Sequence, residues 1–116
     1  MPWEILGYQD ERGRRPVSEF IESLPPKARA RIRWTLNLLR EFGLQLGMPY
    51  TRPVRGKIWE LRVKSGRNIY RIFYFAHRGR FVLLHAFQKK GQKTPEKEIA
   101  IAESRMDDFL ARAEEE

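Results

Sequence analysis

KIWELRVKSGRNIYRIFYFAHRGRFVLLHAFQ, residues 57–88, decides the fold. Lys57 to Lys64 sets Trp59, Leu61 and Val63 against Ile58, Glu60, Arg62 and Lys64, the period of a strand with one face packed and one face available. Ser65-Gly66-Arg67 supplies a turn. Asn68 to Ala76 then places Tyr70, Ile72 and Tyr74 on one face and Ile69, Arg71, Phe73 and Phe75 on the other. After Arg78-Gly79, Phe81 to Gln88 alternates Val82, Leu84 and Ala86 with Phe81, Leu83, His85 and Phe87; apolar on both faces, it is expected at the centre of the sheet. Three strands joined by short turns make an antiparallel meander.

Upstream, Trp3 to Gln9 is a short apolar stretch ending at Asp-Glu-Arg-Gly, an opening strand and turn. Val17, Phe20, Ile21 and Leu24 form a one-sided helical stripe that starts after Pro16 and stops at Pro25-Pro26. A second helix runs from Pro26 to Phe42, with Ala28, Ile32, Thr35, Leu36, Leu39 and Phe42 as its apolar stripe and Gly43 closing it. Residues 43–56 hold three glycines and two prolines without a period and read as a loop. Ile99, Ala102, Met106 and Phe109 line one side of a C-terminal helix. The order β-α-α-β-β-β-α predicts one α+β domain over residues 1–116, an antiparallel sheet with the helical hairpin packed on one face and the other face partly open.

With 116 residues the chain can sustain one modest core. No stretch approaches the ~20 apolar residues that span a bilayer. The first residues lack a charged region followed by a hydrophobic one, so a cytoplasmic protein without membrane contact is expected. Zero cysteines exclude disulfides and thiolate metal sites, and two histidines, His77 and His85, are too few for an ordinary zinc centre. Neither a metal nor a cofactor is expected. The formal net charge is +8, and its distribution carries more information than its size. Between Arg52 and Lys93 stand 12 basic residues and one acid, Glu60, whereas residues 96–116 are acidic on balance. A solvated surface intersperses the signs; concentration in one segment points to a phosphate-bearing partner.

The end of the third meander strand sharpens that inference. In HAFQKKGQKTP, residues 85–95, three lysines stand just ahead of Thr94-Pro95-Glu96, which reads as a helix start with threonine as N-cap and proline at the first helical position. That end of a helix is already positive, so Lys89, Lys90 and Lys93 oppose its dipole until an anion binds among them. If Trp59, Leu61 and Val63 pack on the helices, Arg62 and Arg71 share the other sheet face. They would floor a concave site walled by the lysines and the last helix.

KIWELRVKSGRNIYRIFYF, LLHAFQKKGQKTP and EIAIAESRMDDF together resemble the RelE/ParE toxin superfamily, and most of all its phage-derived HigB-like branch, over nearly the whole chain. The Leu-Arg, Tyr-Arg-x-x-Tyr and Lys-Lys-x-x-Lys-Thr-Pro elements carry the resemblance. It implies a RelE-like fold and the toxin of a type II toxin-antitoxin system. Such a toxin is a ribosome-dependent endoribonuclease that cuts mRNA in the A site, and a cognate antitoxin, in many relatives a helix-turn-helix protein, restrains it. By position, Arg62 matches a basic residue of the first meander strand, Arg71 the arginine of the Tyr-Arg element, and Lys89 a basic position after the last strand. Some relatives also use a C-terminal tyrosine or histidine as acid or base; here no tyrosine follows Tyr74.

RNA carries its own nucleophile, the 2′-hydroxyl, so a metal-free site has to orient it, move protons and neutralise charge growing on the phosphoryl oxygens. Arginine's planar fork suits the last task, which falls to Arg62 and Arg71; for both, the alternative is an ion pair with Glu60. Lys89 or Lys93 is the candidate general base, unless the lysines only hold rRNA phosphates. His85 is either an acid-base group or a packed core histidine. Lys64, Arg67, Lys90 and Phe73 are candidate RNA contacts, with a core position the alternative for Phe73. Two other functions fit the same superfamily: gyrase poisoning in the manner of its ParE side, without nuclease chemistry, and non-catalytic RNA binding.

Overall fold

The computed structural model describes residues 2–91 and 95–115. Strand β1 (Glu4–Gly7) leads to helices α1 (Pro16–Glu22) and α2 (Pro26–Phe42) and a short 3₁₀ turn (Gly43–Gln45). Strands β2 (Thr51–Arg55), β3 (Ile58–Ser65), β4 (Asn68–His77) and β5 (Arg80–Gln88) follow, and helix α3 (Glu96–Glu115) completes the chain. The five strands form one mixed sheet in the order β1-β5-β4-β3-β2. β1 pairs with β5 in parallel, so β5 is interior, but the central strand is β4 and not β5 as expected.

β2 replaces part of the expected loop at residues 43–56. Pro53 has no N–H to give a ladder, but β2 is an edge strand and its register against β3 shifts between Pro53 and Arg55, the setting in which a strand tolerates proline. The α2 stripe buries Ala28, Ile32, Thr35 and Leu39 as expected; Phe42 instead lies at the surface, 57% exposed. Gly43 closes α2 at φ 58°, and a Cβ there would stand 2.5 Å from the Trp3 indole nitrogen, so the position excludes any side chain.

Both sheet faces are covered. On one, Leu61, Val63, Tyr70, Ile72, Tyr74, Phe81 and Leu83 pack against Val17, Ile21, Ile32 and Leu39 of the hairpin. On the other, Ile58, Phe73, Phe75, Val82 and Leu84 pack against Ile99, Ala102, Met106 and Phe109 of α3. α3 thus covers most of the face expected to stand partly open, while Arg62 and Lys64 on that face remain exposed. Each large apolar side chain enclosed this way contributes ~1.5–3 kcal/mol, and α3 has no other surface on which to bury its stripe.

A bulge in β5 matters more than its size suggests. Phe73 pairs with His85 and Tyr74 with Leu83, so Leu84 is the extra residue. Strict alternation would set His85 and Phe87 beside Phe81 and Leu83. The bulge moves them to the α3 face, where Arg71 also lies.

Candidate functional site

Strand register builds the site in rows across the α3 face. Arg62 pairs with Arg71, and Arg71 with Phe87. In the adjacent row Arg52 pairs with Glu60, Glu60 with Phe73, and Phe73 with His85. Arg62 and Arg71 therefore point to the same side of the sheet.

Their environments differ sharply. Arg71 is 1% exposed and Glu60 fully enclosed; the Arg71 Nε lies 3.0 Å from Glu60 Oε1. The Arg52 Nε, reaching in from the edge strand, donates to Glu60 Oε2 at 3.0 Å. One buried carboxylate thus serves two guanidiniums. Burial has the largest influence on the Arg71 pKa and draws it down; Glu60 opposes that, while Arg52 and Arg62 add to it. Arg62 is exposed and makes no ion pair among the described residues. The cluster holds three arginines and one glutamate, and directly opposed like charges on neighbouring strands are unfavourable without a counter-charge.

One row on, α3 clamps His85. Its Nε2 is 3.0 Å from Glu98 Oε2, and the Arg105 Nη1, which donates to the Leu84 carbonyl at 2.9 Å, stands 3.2 Å from His85 Nδ1. A guanidinium can only donate, so Nδ1 accepts and the proton sits on Nε2, facing Glu98. Burial is the largest influence on the His85 pKa and lowers it, against the pull of Glu98. Phe87 stacks on the imidazole at 5.4 Å. Further polar links hold α3 in place, among them Arg55 with Glu96 at 2.8 Å and Tyr8, whose hydroxyl donates to Asp108 at 2.6 Å.

The basic residues after β5 lie at the same end of the sheet. The Lys89 N–H donates to the Ile69 carbonyl at 2.7 Å and Ile69 pairs with Lys64, so the row beyond Arg62, Arg71 and Phe87 runs Lys64, Ile69, Lys89. Lys89 is half-buried and Lys90 exposed. Lys90 joins Phe20, Phe87, Gln88, Lys97 and Glu98 around a cleft of about 510 Å³ beside the start of α3. That helix begins at Glu96, one residue later than expected, with the Pro95 carbonyl accepting from the N–H groups of Glu98 and Ile99. Lys93 and the N-cap expected at Thr94 lie outside the described residues.

Two expected contacts stand elsewhere. Arg67 is exposed on the β3–β4 turn. Phe73 is fully buried under α3 and offers no ring to a base, which settles it as a core residue because α3 covers the face expected to be open. Three participants were missed. Arg52 lies in the segment expected to be a loop, and Glu98 and Arg105 stand outside the apolar stripe expected for the C-terminal helix. The spacing Glu98, Ala102, Arg105, Phe109 repeats at four, three and four residues, and that signal places both charges on the buried face of α3. Among the described residues no cluster of His, Asp or Glu could hold a metal ion, and no helix is long and apolar enough to cross a membrane.

A sheet held between a helical hairpin and a terminal helix, with an arginine pair midway along the β3–β4 ladder, is a RelE-like toxin domain. The chain belongs to the phage-derived Gp49-like family (DUF891), whose model matches residues 19–107, and lies on the HigB-like side of the superfamily. It is similar to two proteins from strains of Mycobacterium tuberculosis, each called "Probable endoribonuclease HigB1". Each is 33% identical over 91 residues, covering 78% of this chain and 70% of the relative.

Proposed function

We propose that the protein is the toxin of a type II toxin-antitoxin pair and an endoribonuclease that cuts mRNA in the ribosomal A site. The observation that carries this reading is the Arg62–Arg71 pair above a single buried glutamate, a surplus of fixed positive charge. The name of the mycobacterial relatives supports the reaction class.

In the proposed reaction the 2′-oxygen attacks the adjacent phosphorus, the bond to the 5′-oxygen breaks and that oxygen takes a proton from water, leaving a 2′,3′-cyclic phosphate and a 5′-hydroxyl. Arg62 grips the non-bridging oxygens, and Arg71 adds positive charge from beneath while its bond to Glu60 holds the strand pair in place. Lys89 or Lys93 takes the 2′-hydroxyl proton, and Lys64, Arg67 and Lys90 hold flanking phosphates. His85 has both ring nitrogens engaged, so it enters proton transfer only when Glu98 releases it. A helix-turn-helix antitoxin is the proposed partner, and no metal takes part.

Purified protein added to translating ribosomes tests the reading. Cuts within the A-site codon ending in cyclic phosphate support it. Intact mRNA together with inhibited DNA supercoiling by gyrase would replace it with the ParE-like function.

A further inference from the structure

A second basic feature lies outside that cluster, on the helical hairpin. Lys27, Arg31 and Trp34 recur at four and three residues on one face of α2, and with Lys64, Ser65 and Gly66 of the β3–β4 turn they line a groove of about 570 Å³. Three cations enter it and no acid does. None of the three makes an ion pair among the described residues. Trp34, a large apolar ring on a basic helix, is 44% exposed. The Arg31 guanidinium lies 4.4 Å from the Trp34 ring centroid, and Tyr50 braces the indole edge-on at 6.3 Å.

We infer that this groove is a second RNA-binding surface, taking single-stranded RNA with one unstacked base against Trp34 and the flanking phosphates on Lys27, Arg31 and Lys64. Cations alone would suit any polyanion. An exposed indole pre-stacked with a guanidinium adds a flat π surface, which a base uses and an acidic peptide does not. Position agrees. Lys64 follows Arg62 by two residues on the α3 side of β3, ~7 Å further along, whereas α2 packs on the other side; β2 pairs with β3 only as far as Leu61, so a chain whose phosphate sits at Arg62 reaches the groove by passing Lys64 and turning over the unpaired edge of β3. The inference rests on the nuclease reading for its substrate class and goes beyond it in giving the RNA a path over α2.

The test is binding of the full chain to a labelled 2′-O-methyl oligouridylate of about 12 nucleotides, long enough for a groove-sized site and immune to 2′-hydroxyl attack. Trp34→Leu should weaken binding about 10-fold, a loss typical of one stacked base. Trp34→Phe, which keeps a ring, should retain most of the affinity. Lys27→Ala with Arg31→Ala should weaken binding and lower the salt dependence by roughly two phosphate contacts. Wild-type affinity in Trp34→Leu and in the double variant overturns the inference, and does so even if ribosomal cleavage proceeds normally. The inference stands if those variants lose binding while ribosomes yield no cut mRNA; in that case the nuclease reading fails alone. Should the double variant lose polyglutamate as strongly as RNA while Trp34→Leu keeps both, the groove fits an acidic protein and the RNA assignment falls.

Discussion

Arg62 stands directly across the β3–β4 ladder from Arg71, the first guanidinium open to solvent and the second enclosed against Glu60. Only one of the two can grip a ligand. The other is enclosed against Glu60, and in the proposed reaction the pair divides binding and structure between two residues of the same type.

Glu60 is therefore expected to be a stability residue. Glu60→Gln leaves the Arg71 charge buried without its carboxylate and should cost ~3–5 kcal/mol in urea denaturation. Arg52→Ala, removing a partner that is half exposed, should cost ~1 kcal/mol or less. Equal losses for the two would contradict the assignment.

An anion at Arg62 should stabilise the fold by mass action. Inorganic phosphate at a hundred times its dissociation constant raises stability by about 2.7 kcal/mol, read as a higher Tm. Arg62→Ala should fold normally and lose most of that increment; an undiminished increment places the anion elsewhere.

His85 makes stability depend on pH in the mildly acidic range. Its folded-state pKa is lowered, chiefly by burial, so the unfolded chain takes up the proton more readily. The contribution is fully present above pH ~6.5 and is lost as the pH falls from there through the folded-state value, then levels off. His77 is shifted in the same direction, so the measurement is the difference between wild type and His85→Gln across a pH series of denaturation curves. Parallel curves would contradict the burial-driven lowering of the His85 pKa.

At the alkaline end, burial pushes the Tyr74 phenol up to about 12, against a hydrogen bond with Thr51. The unfolded phenol ionises near ~10, so stability falls as pH rises above that value. In an absorbance titration of the phenols, Tyr74→Phe should delete a late step; the raised Tyr8 accounts for another.

Period-two alternation across residues 57–88 and proline-bounded stripes at Pro16–Glu22 and Pro26–Phe42 were legible because each depends on local spacing alone. β2 was not, since proline and glycine usually end strands and only edge placement excuses Pro53. Nor was the bulge at Leu84, which turns His85 and Phe87 toward α3 without any mark in composition. The Arg71–Glu60 pair was legible as an alternative. What decided for burial was the docking of α3, a long-range event signalled only by the spacing of Glu98 and Arg105.

The most direct test maps mRNA 5′ ends from translating ribosomes supplied with wild type or Arg62→Ala, two proteins expected to be equally stable. Wild type should cut within A-site codons, and Arg62→Ala should cut the same positions ~10²–10³ times more slowly, the loss expected when a preorganised donor to a transition-state oxyanion is removed. Cutting by Arg62→Ala at the wild-type rate would contradict the account.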